Sequence, residues 1–300
     1  MSRTFPAVID STMVNDFRRC PTRWAERYIN LLELPGESVD LKFGGCFARG
    51  LEVARKNYYM QGRSDAESVS LGLQAAARDW GYFDEPQGHA KCFDTLMLAI
   101  DGYFKQWPLG FAPIPYLSGN TGDSVEYSFA IPLLGTKHPD TGAEIIYGGR
   151  FDMLGKDGDL IYPVDEKTTG RSFFNWASGW NLWGQFIGYQ WACQLRGLPV
   201  RQLLVRGIYV SKTEFKYIQH FVSSTQVVID RWLEDLVLTV EQMIAMYQRQ
   251  YFPRVYGTAC KMYKPCEYLD MCEATRREDW LSMYKEAQQW NPLLRTGGEL

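Results

Sequence analysis

Apolar positions recur every three to four residues through roughly the first hundred positions and every second residue soon afterwards, so helices are expected to give way to strands. Asp10 or Ser11 can cap a first helix running through Phe17. Pro21, suited to a first helical position, opens a second over Trp24 to Ile29, with Cys20 at the joint. Leu34-Pro35-Gly36 ends this pair. The spacing then predicts a helix from Phe43 to Met60, with Phe47, Leu51 and Ala54 on one stripe. Two more, over about Asp65 to Trp80 and His89 to Trp107, complete a first third expected to be all helical, left through Pro108, Pro113 and Pro115.

Alternation begins with Val125, Tyr127, Phe129 and Ile131, and the turn formers from Thr136 to Gly142 suggest a hairpin. Ile145 to Leu154 and Leu160 to Glu166 read as strands joined by Lys156-Asp157-Gly158-Asp159. Trp180 to Leu195 returns to helix. Leu203 to Val210 and Tyr217 to Val222 read as strands, and Gln226 to Gln250 as one long helix capped by Ser224 or Thr225. The mixture predicts an α+β or α/β fold around one sheet, without internal repeats.

Composition narrows the class. In 300 residues, 46% hydrophobic and 15% aromatic content supplies a substantial core, which excludes disordered and fibrous classes. Thirty-two Lys+Arg against thirty-five Asp+Glu leave a net charge of -3, so no global basic field draws the chain to a polyanion, and any such site must be local. The first ten residues lack an apolar signal region, and no stretch approaches the roughly 18 apolar residues of a membrane span; a cytoplasmic protein without a membrane partner is expected. Seven unevenly spaced cysteines suit metal binding or free thiols better than a disulfide framework.

The chemistry concentrates in Gly148-Gly149-Arg150-Phe151-Asp152 and Val164-Asp165-Glu166-Lys167-Thr168. On a strand Asp165 and Lys167 share a face, and a hairpin partner can bring Asp152 opposite them. Two such carboxylates suit Mg²⁺ or Mn²⁺, and the lysine can orient or help deprotonate a water that attacks phosphorus. An isolated D-x-K tripeptide is also compatible with a solvated hairpin of ordinary ion pairs. On the following helix Gln185 and Tyr189, four apart, share a face able to reach phosphate or bases.

Taken in order, Phe43-Gly44, the Asp152 that follows Gly149, Asp165-Glu166-Lys167-Thr168 and Gln185 to Tyr189 resemble the RecB-like branch of the PD-(D/E)XK nuclease superfamily, over roughly Cys20 to Cys272. The resemblance implies a restriction-endonuclease-like core sheet flanked by helices, in a mixed α/β chain. It divides the chain into a helical N-terminal region (1-115), a nuclease core (116-223) and a C-terminal helix with a Cys-rich tail (224-300), integrated as one unit. It also implies Asp152, Asp165 and the Glu166 main-chain carbonyl as metal ligands, Lys167 serving the attacking water, and Gln185 and Tyr189 positioning DNA. Glu126 falls where relatives often carry an acid; an ordinary exposed strand carboxylate is an equal reading. The family's helix carries a metal-binding histidine where this chain has Ala48, so either a ligand is lost or Glu52, four residues on, substitutes; Glu52 can instead pair with Arg55 or Lys56 at the surface.

Cys260, Cys266 and Cys272 follow a C-x5-C-x5-C pattern, with Cys20 far upstream. Four thiolates without an interleaved histidine suit zinc or an iron-sulfur cluster, and spacing does not choose between them. The resemblance does: RecB-like nucleases of the AddB and CRISPR-associated types carry one cysteine before the core and three after it, binding a [4Fe-4S] cluster, here expected to staple the N-terminal helices to the C-terminal tail. Cys46, Cys92 and Cys193 sit in apolar helical contexts and read as core.

From Ile244 to Lys264 the chain has Arg249, Arg254, Lys261 and Lys264, no acid, and interleaved Tyr247, Tyr251, Phe252, Tyr256 and Tyr263. Cations that follow a backbone and rings that stack on unpaired bases suit single-stranded DNA; a helix with a solvated face and core rings accounts for the pattern equally well. Arg18, Arg19, Arg23 and Arg27 form a second basic strip. The expected protein is a Mg²⁺- or Mn²⁺-dependent exonuclease on single-stranded or end-containing DNA in recombination, repair or phage DNA processing, working with a helicase, recombination or CRISPR-adaptation partner. The alternatives are a CRISPR-adaptation trimming nuclease and a catalytically weakened DNA-binding scaffold subunit.

Overall fold

The computed structural model describes residues 4–116, 124–170, 176–261 and 265–293. In chain order its elements begin with β1 (Val8–Ile9), α1 (Ser11–Arg19), α2 (Pro21–Tyr28), β2 (Leu32–Glu33), α3 (Val39–Gln61), α4 (Asp65–Trp80) and α5 (Phe93–Gln106). Then come β3 (Ile114–Pro115), β4 (Val125–Pro132), β5 (Ile146–Asp157), β6 (Leu160–Thr169), α6 (Gly184–Leu195), β7 (Leu203–Val210) and β8 (Phe215–Val222). They are followed by α7 (Gln226–Gln248), α8 (Leu269–Glu273) and β9 (Lys285–Glu286). The result is the expected mixed α/β fold.

Local chemistry explains most boundaries. Asp10 caps α1 by accepting the Met13 N–H at 2.8 Å, and Pro21 opens α2. The helix expected from His89 starts only at Phe93, because the Thr95 hydroxyl takes the Cys92 N–H at 3.0 Å and Glu85 takes the Phe93 N–H at 2.9 Å. The helix expected from Trp180 starts at Gly184, after a short 3₁₀ turn over Ser178–Trp180. Nor is the first third all helical. Strands β1 and β2 are two residues long, too short for any alternation to register, and exist through distant partners: Val8 pairs with Ile146, and Leu32 with Glu286.

The chain divides into two compact units: Met1–Gly36, Ser128–Gly149 and Gln226–Leu300 in one, Glu37–Tyr127 and Arg150–Thr225 in the other. In the second, β5 and β6 are antiparallel, β6 and β7 parallel, and β7 and β8 antiparallel, while β3 adds to β5. The parallel step requires a crossover, which α6 supplies. Helices α3, α4 and α5 pack Phe43, Phe47, Leu51, Ala76, Trp80, Leu96, Ile100 and Tyr103 against Ile208 and Val210 of β7. By the two-residue period and the β6–β7 register, Val164, Glu166 and Thr168 share that helix-covered face.

Helices α3 and α4 touch almost backbone to backbone. A Cβ at Gly72 would lie 2.5 Å from the Gly50 carbonyl oxygen and 3.0 Å from the Ala54 Cβ, and neither neighbour is a side chain free to swing away. Gly72→Ala is therefore expected to destabilise the protein by about 1–3 kcal/mol in urea titrations, through overpacking, although alanine favours helix. A neutral or stabilising effect would contradict this crossing.

In the first unit, Trp24 packs its ring against Phe5, Phe17, Tyr28 and Phe252 at centroid distances of 5.5 to 6.2 Å. The N-terminal helices are tied to the C-terminal segments by polar contacts as well: Arg19 donates to the Ala259 carbonyl, Arg23 pairs with Glu267 at 3.1 Å, and the Tyr268 hydroxyl donates to the Leu32 carbonyl at 2.7 Å. No helix among the described residues is long and apolar enough to cross a membrane.

Candidate active site

Strand β6 divides the chemistry of Asp165-Glu166-Lys167 between two faces. Asp165 and Lys167 lie on one, with Lys167 Nζ 2.5 Å from Asp165 Oδ2 and 5.8 Å from the centre of the Phe186 ring on α6. The register that pairs Met153 with Val164 brings Asp152 alongside Asp165. There the Asp152 carboxylate accepts the Glu166 N–H at 2.6 Å, taking the place of a ladder carbonyl. The predicted convergence of Asp152, Asp165 and Lys167 is thus present in the structure.

Asp165 is buried and Asp152 half-buried, each within reach of the other's charge. Burial, followed by the charges of Glu166, Asp165 and Glu126, pushes the Asp152 carboxyl well above the usual carboxylate range. Burial also raises Asp165, against the pull of Lys167. For Lys167 burial opposes the charged form, but Asp165 and Asp152 outweigh it and hold the side chain as an ammonium. A cluster of buried hard oxygens that repel one another fits a divalent cation, whose charge would relieve the repulsion. Two of those oxygen donors are side chains and the expected third is the Glu166 carbonyl. Among the described residues no group of three or more His, Cys, Asp or Glu side chains is drawn together as a metal-holding set.

On the opposite face the Glu166 carboxylate is buried and ion-paired with Arg55 of α3. It also accepts from the Tyr103 hydroxyl at 2.7 Å, and that hydroxyl in turn accepts from Arg55 at 2.7 Å and from Arg206 of β7 at 2.9 Å. Burial disfavours a charged Glu166, yet Arg55 and its hydrogen bonds win and lower the carboxyl to about 2. Tyr103 and Arg206 carry no expectation from the sequence, and Arg55, expected as a surface partner of Glu52, is instead buried against Glu166. Their signal was there: Arg55 follows the apolar stripe of α3, and Arg206 is the one charge in Leu203–Val210.

The remaining candidates fall around this centre. Glu126, mostly buried, pairs with Arg150 Nε at 2.8 Å, has φ +61°, a left-handed conformation unusual within a strand, and is near enough for its charge to act on Asp152. Helix α3 passes over β6: a Cβ at Gly44 would lie 3.8 Å from Thr168 Oγ1. Glu52, one turn beyond Ala48, is buried rather than superficial, with its oxygens 2.9 Å from Arg49 and 3.0 Å from Lys56. Gln185 donates to the Tyr189 hydroxyl at 2.6 Å, and that hydroxyl, on a buried ring, donates to the Arg150 carbonyl at 2.6 Å.

Cys20, Cys260, Cys266 and Cys272 are free, half-buried thiols of the first unit. The Cys266 N–H donates to the Cys260 carbonyl at 2.8 Å. Burial raises the Cys272 thiol while Arg254 beside it pulls it down, and Cys266 and Cys20 are near enough to add to the rise. The soft donor set suits the expected cluster, but the thiols share a neighbourhood without forming a ligand set. Along the basic strip Arg249, Arg254, Lys261, Tyr251 and Tyr256 are exposed, whereas Tyr247 is buried and Phe252 packs on Trp24. Tyr263 and Lys264 lie outside the described residues. Three of the four arginines of the second strip are committed internally: Arg18 donates to Thr239, Arg19 to the Ala259 carbonyl, and Arg23 pairs with Asp16 and Glu267, whereas Arg27 is more exposed, 3.9 Å from Asp16.

Residues 11–273 match the family model of the PD-(D/E)XK nuclease superfamily, and the chain belongs to that family. Among solved structures it is similar to the Eubacterium rectale protein designated "Putative exonuclease", at 12% identity and a TM-score of 0.52, with 90% of each chain covered; this likeness is one of fold. A second solved chain, SSO0001, shares 15% identity over 65% of this chain and 73% of its own, with a TM-score of 0.27. No curated protein matches the chain.

Proposed function

We propose that this protein is a Mg²⁺- or Mn²⁺-dependent deoxyribonuclease of the RecB-like branch, acting as an exonuclease on single-stranded or end-containing DNA. The observation that carries the reading is the meeting of Asp152, Asp165 and Lys167 on adjacent strands, with Asp165 buried and Asp152 and Lys167 half-buried beside it. Asp152, Asp165 and the Glu166 carbonyl would hold the ion, which when bound supplies a more acidic water and neutralises phosphate charge. Lys167, held beside Asp165, donates to the attacking water or to a phosphate oxygen. Tyr189, its hydroxyl spent on the Arg150 carbonyl, braces Gln185, whose amide nitrogen keeps its second N–H for the DNA backbone. Glu52, in place of the histidine missing at Ala48, would contribute charge from α3.

The exposed Arg249, Arg254 and Lys261, with Tyr251 and Tyr256 between them, support a track for an unpaired strand. The test is cleavage of end-labelled single-stranded, duplex and closed circular DNA with Mg²⁺, Mn²⁺ or EDTA. Metal-dependent release of short products from ends is expected. Equal cutting of closed circles would overturn the exonuclease assignment, and no cleavage with either metal would favour the scaffold reading that Ala48 raises.

The same proposal extends to a [4Fe-4S] cluster at Cys20, Cys260, Cys266 and Cys272, supported by four free soft donors on segments that the fold already ties together. Protein purified without oxygen should contain about four irons per chain with matching sulfide. Stoichiometric zinc, or neither metal, would refute the cluster.

A further inference from the structure

On the Glu166 face of β6, away from Asp165 and Lys167, a cavity of ≈ 170 Å³ is lined by Arg55, Tyr59, Tyr103, Trp107, Phe111 and Arg206 among others. Its charged groups are deep and its mouth is apolar: Arg55 and Arg206 are 3% and 4% exposed, Phe111 71%. The two guanidiniums are unequally provided for. Arg55 has the Glu166 carboxylate. Among the described residues the Arg206 guanidinium has one hydrogen bond, to the Tyr103 hydroxyl at 2.9 Å, and its buried Nε has no partner; the guanidinium lies 4.5 Å from the centre of the Trp107 ring.

A buried guanidinium without a counter-charge is costly, and ring faces recover only part of that cost. Arg55 meets the Glu166 carboxylate directly, whereas Arg206 is linked to it only through the Tyr103 hydroxyl, so among the described residues no carboxylate touches the Arg206 guanidinium beside the cavity. We propose that this cavity binds a small organic oxyanion, a phosphomonoester or a carboxylate carrying a flat body, with Arg206 taking the oxyanion through its free donors and Phe111 flanking the body at the mouth. A guanidinium presents a planar fork suited to both kinds of oxyanion. The volume admits an oxyanion and about one ring, well below the ≈ 300–1,000 Å³ of drug-sized sites, so an oligonucleotide does not fit. The inference stands apart from the nuclease reading.

The experiment is isothermal titration in EDTA, which silences metal-dependent cleavage, with inorganic phosphate, phenyl phosphate and benzoate as probes. Saturable one-to-one binding of at least one probe is expected, with Kd raised about tenfold or more in Arg206→Met, since charge-assisted hydrogen bonds are lost. Lys167→Ala, which alters the other face, should leave that binding intact. Phe111→Ala, at an exposed position, should weaken the ring-bearing probes and spare inorganic phosphate. Preference between phenyl phosphate and benzoate identifies the source of the oxyanion. Absence of saturable binding by all three probes, binding that survives Arg206→Met, or binding abolished by Lys167→Ala would each overturn the proposal. If Arg206→Met does not fold, Phe111→Ala decides, and unaltered affinity for the ring-bearing probes overturns it.

Discussion

Asp165→Asn should lower DNA cleavage by about a thousandfold or more while the protein remains folded. The amide keeps the shape of the side chain but removes a charge that the proposed metal site depends on, and metal charge stabilisation is worth several kcal/mol in the transition state. The fold should tolerate the change because Asp165 is pushed toward its neutral form by burial and adds to the repulsion on Asp152. Lys167 loses one partner but keeps Asp152 nearby. Initial rates on single-stranded DNA at saturating Mn²⁺, alongside circular dichroism and a melting curve, make the comparison. A folded Asp165→Asn protein cutting within about tenfold of wild type would remove Asp165 from the site.

The second large effect concerns stability. Arg55→Met is expected to cost about 3–5 kcal/mol, because it strands the Glu166 carboxylate in a buried position. Replacing both partners, Arg55→Met with Glu166→Met, should recover most of that loss, since a matched apolar pair no longer buries an uncompensated charge. A pH dependence follows. In the wild type the Glu166 carboxyl is lowered to about 2, below its ordinary 4.5, so its contribution is complete above about pH 4.5 and is lost as the pH falls toward 2. In Arg55→Met the stranded carboxyl should instead take up a proton readily, so the deficit relative to wild type should shrink between pH 7 and pH 4. Urea titrations at the two pH values test this; a deficit under about 1 kcal/mol, or one independent of pH, would show that the pair does not carry the stability assigned to it.

Both effects arise on one strand, at consecutive residues facing opposite ways. Asp165 and Lys167 face the proposed chemistry, while Glu166 anchors β6 to α3, α5 and β7. A substitution at Glu166 is therefore expected to act on folding, and one at Asp165 on cleavage, although the two carboxylates are adjacent in the chain.

Much of this was legible from the sequence. The change of apolar period from three or four to two located helices and strands, because periodicity is a local property that each segment carries by itself. Asp152, Asp165 and Lys167 could be brought together on paper for the same reason: strand alternation fixes faces, and a short turn at Asp157-Gly158-Asp159 fixes a hairpin register. Strands β1 and β2 could not be read, since two residues hold no period and owe their conformation to partners more than a hundred residues away. Nor could the burial of Glu52, the hydroxyl of Tyr189 spent on Arg150, or the internal commitments of Arg18, Arg19 and Arg23. The charge of each side chain is written in the sequence. Whether that charge meets water, a partner or a cavity depends on which distant segments pack over it, and for Arg55, Glu166 and Arg206 only the tertiary structure decided that.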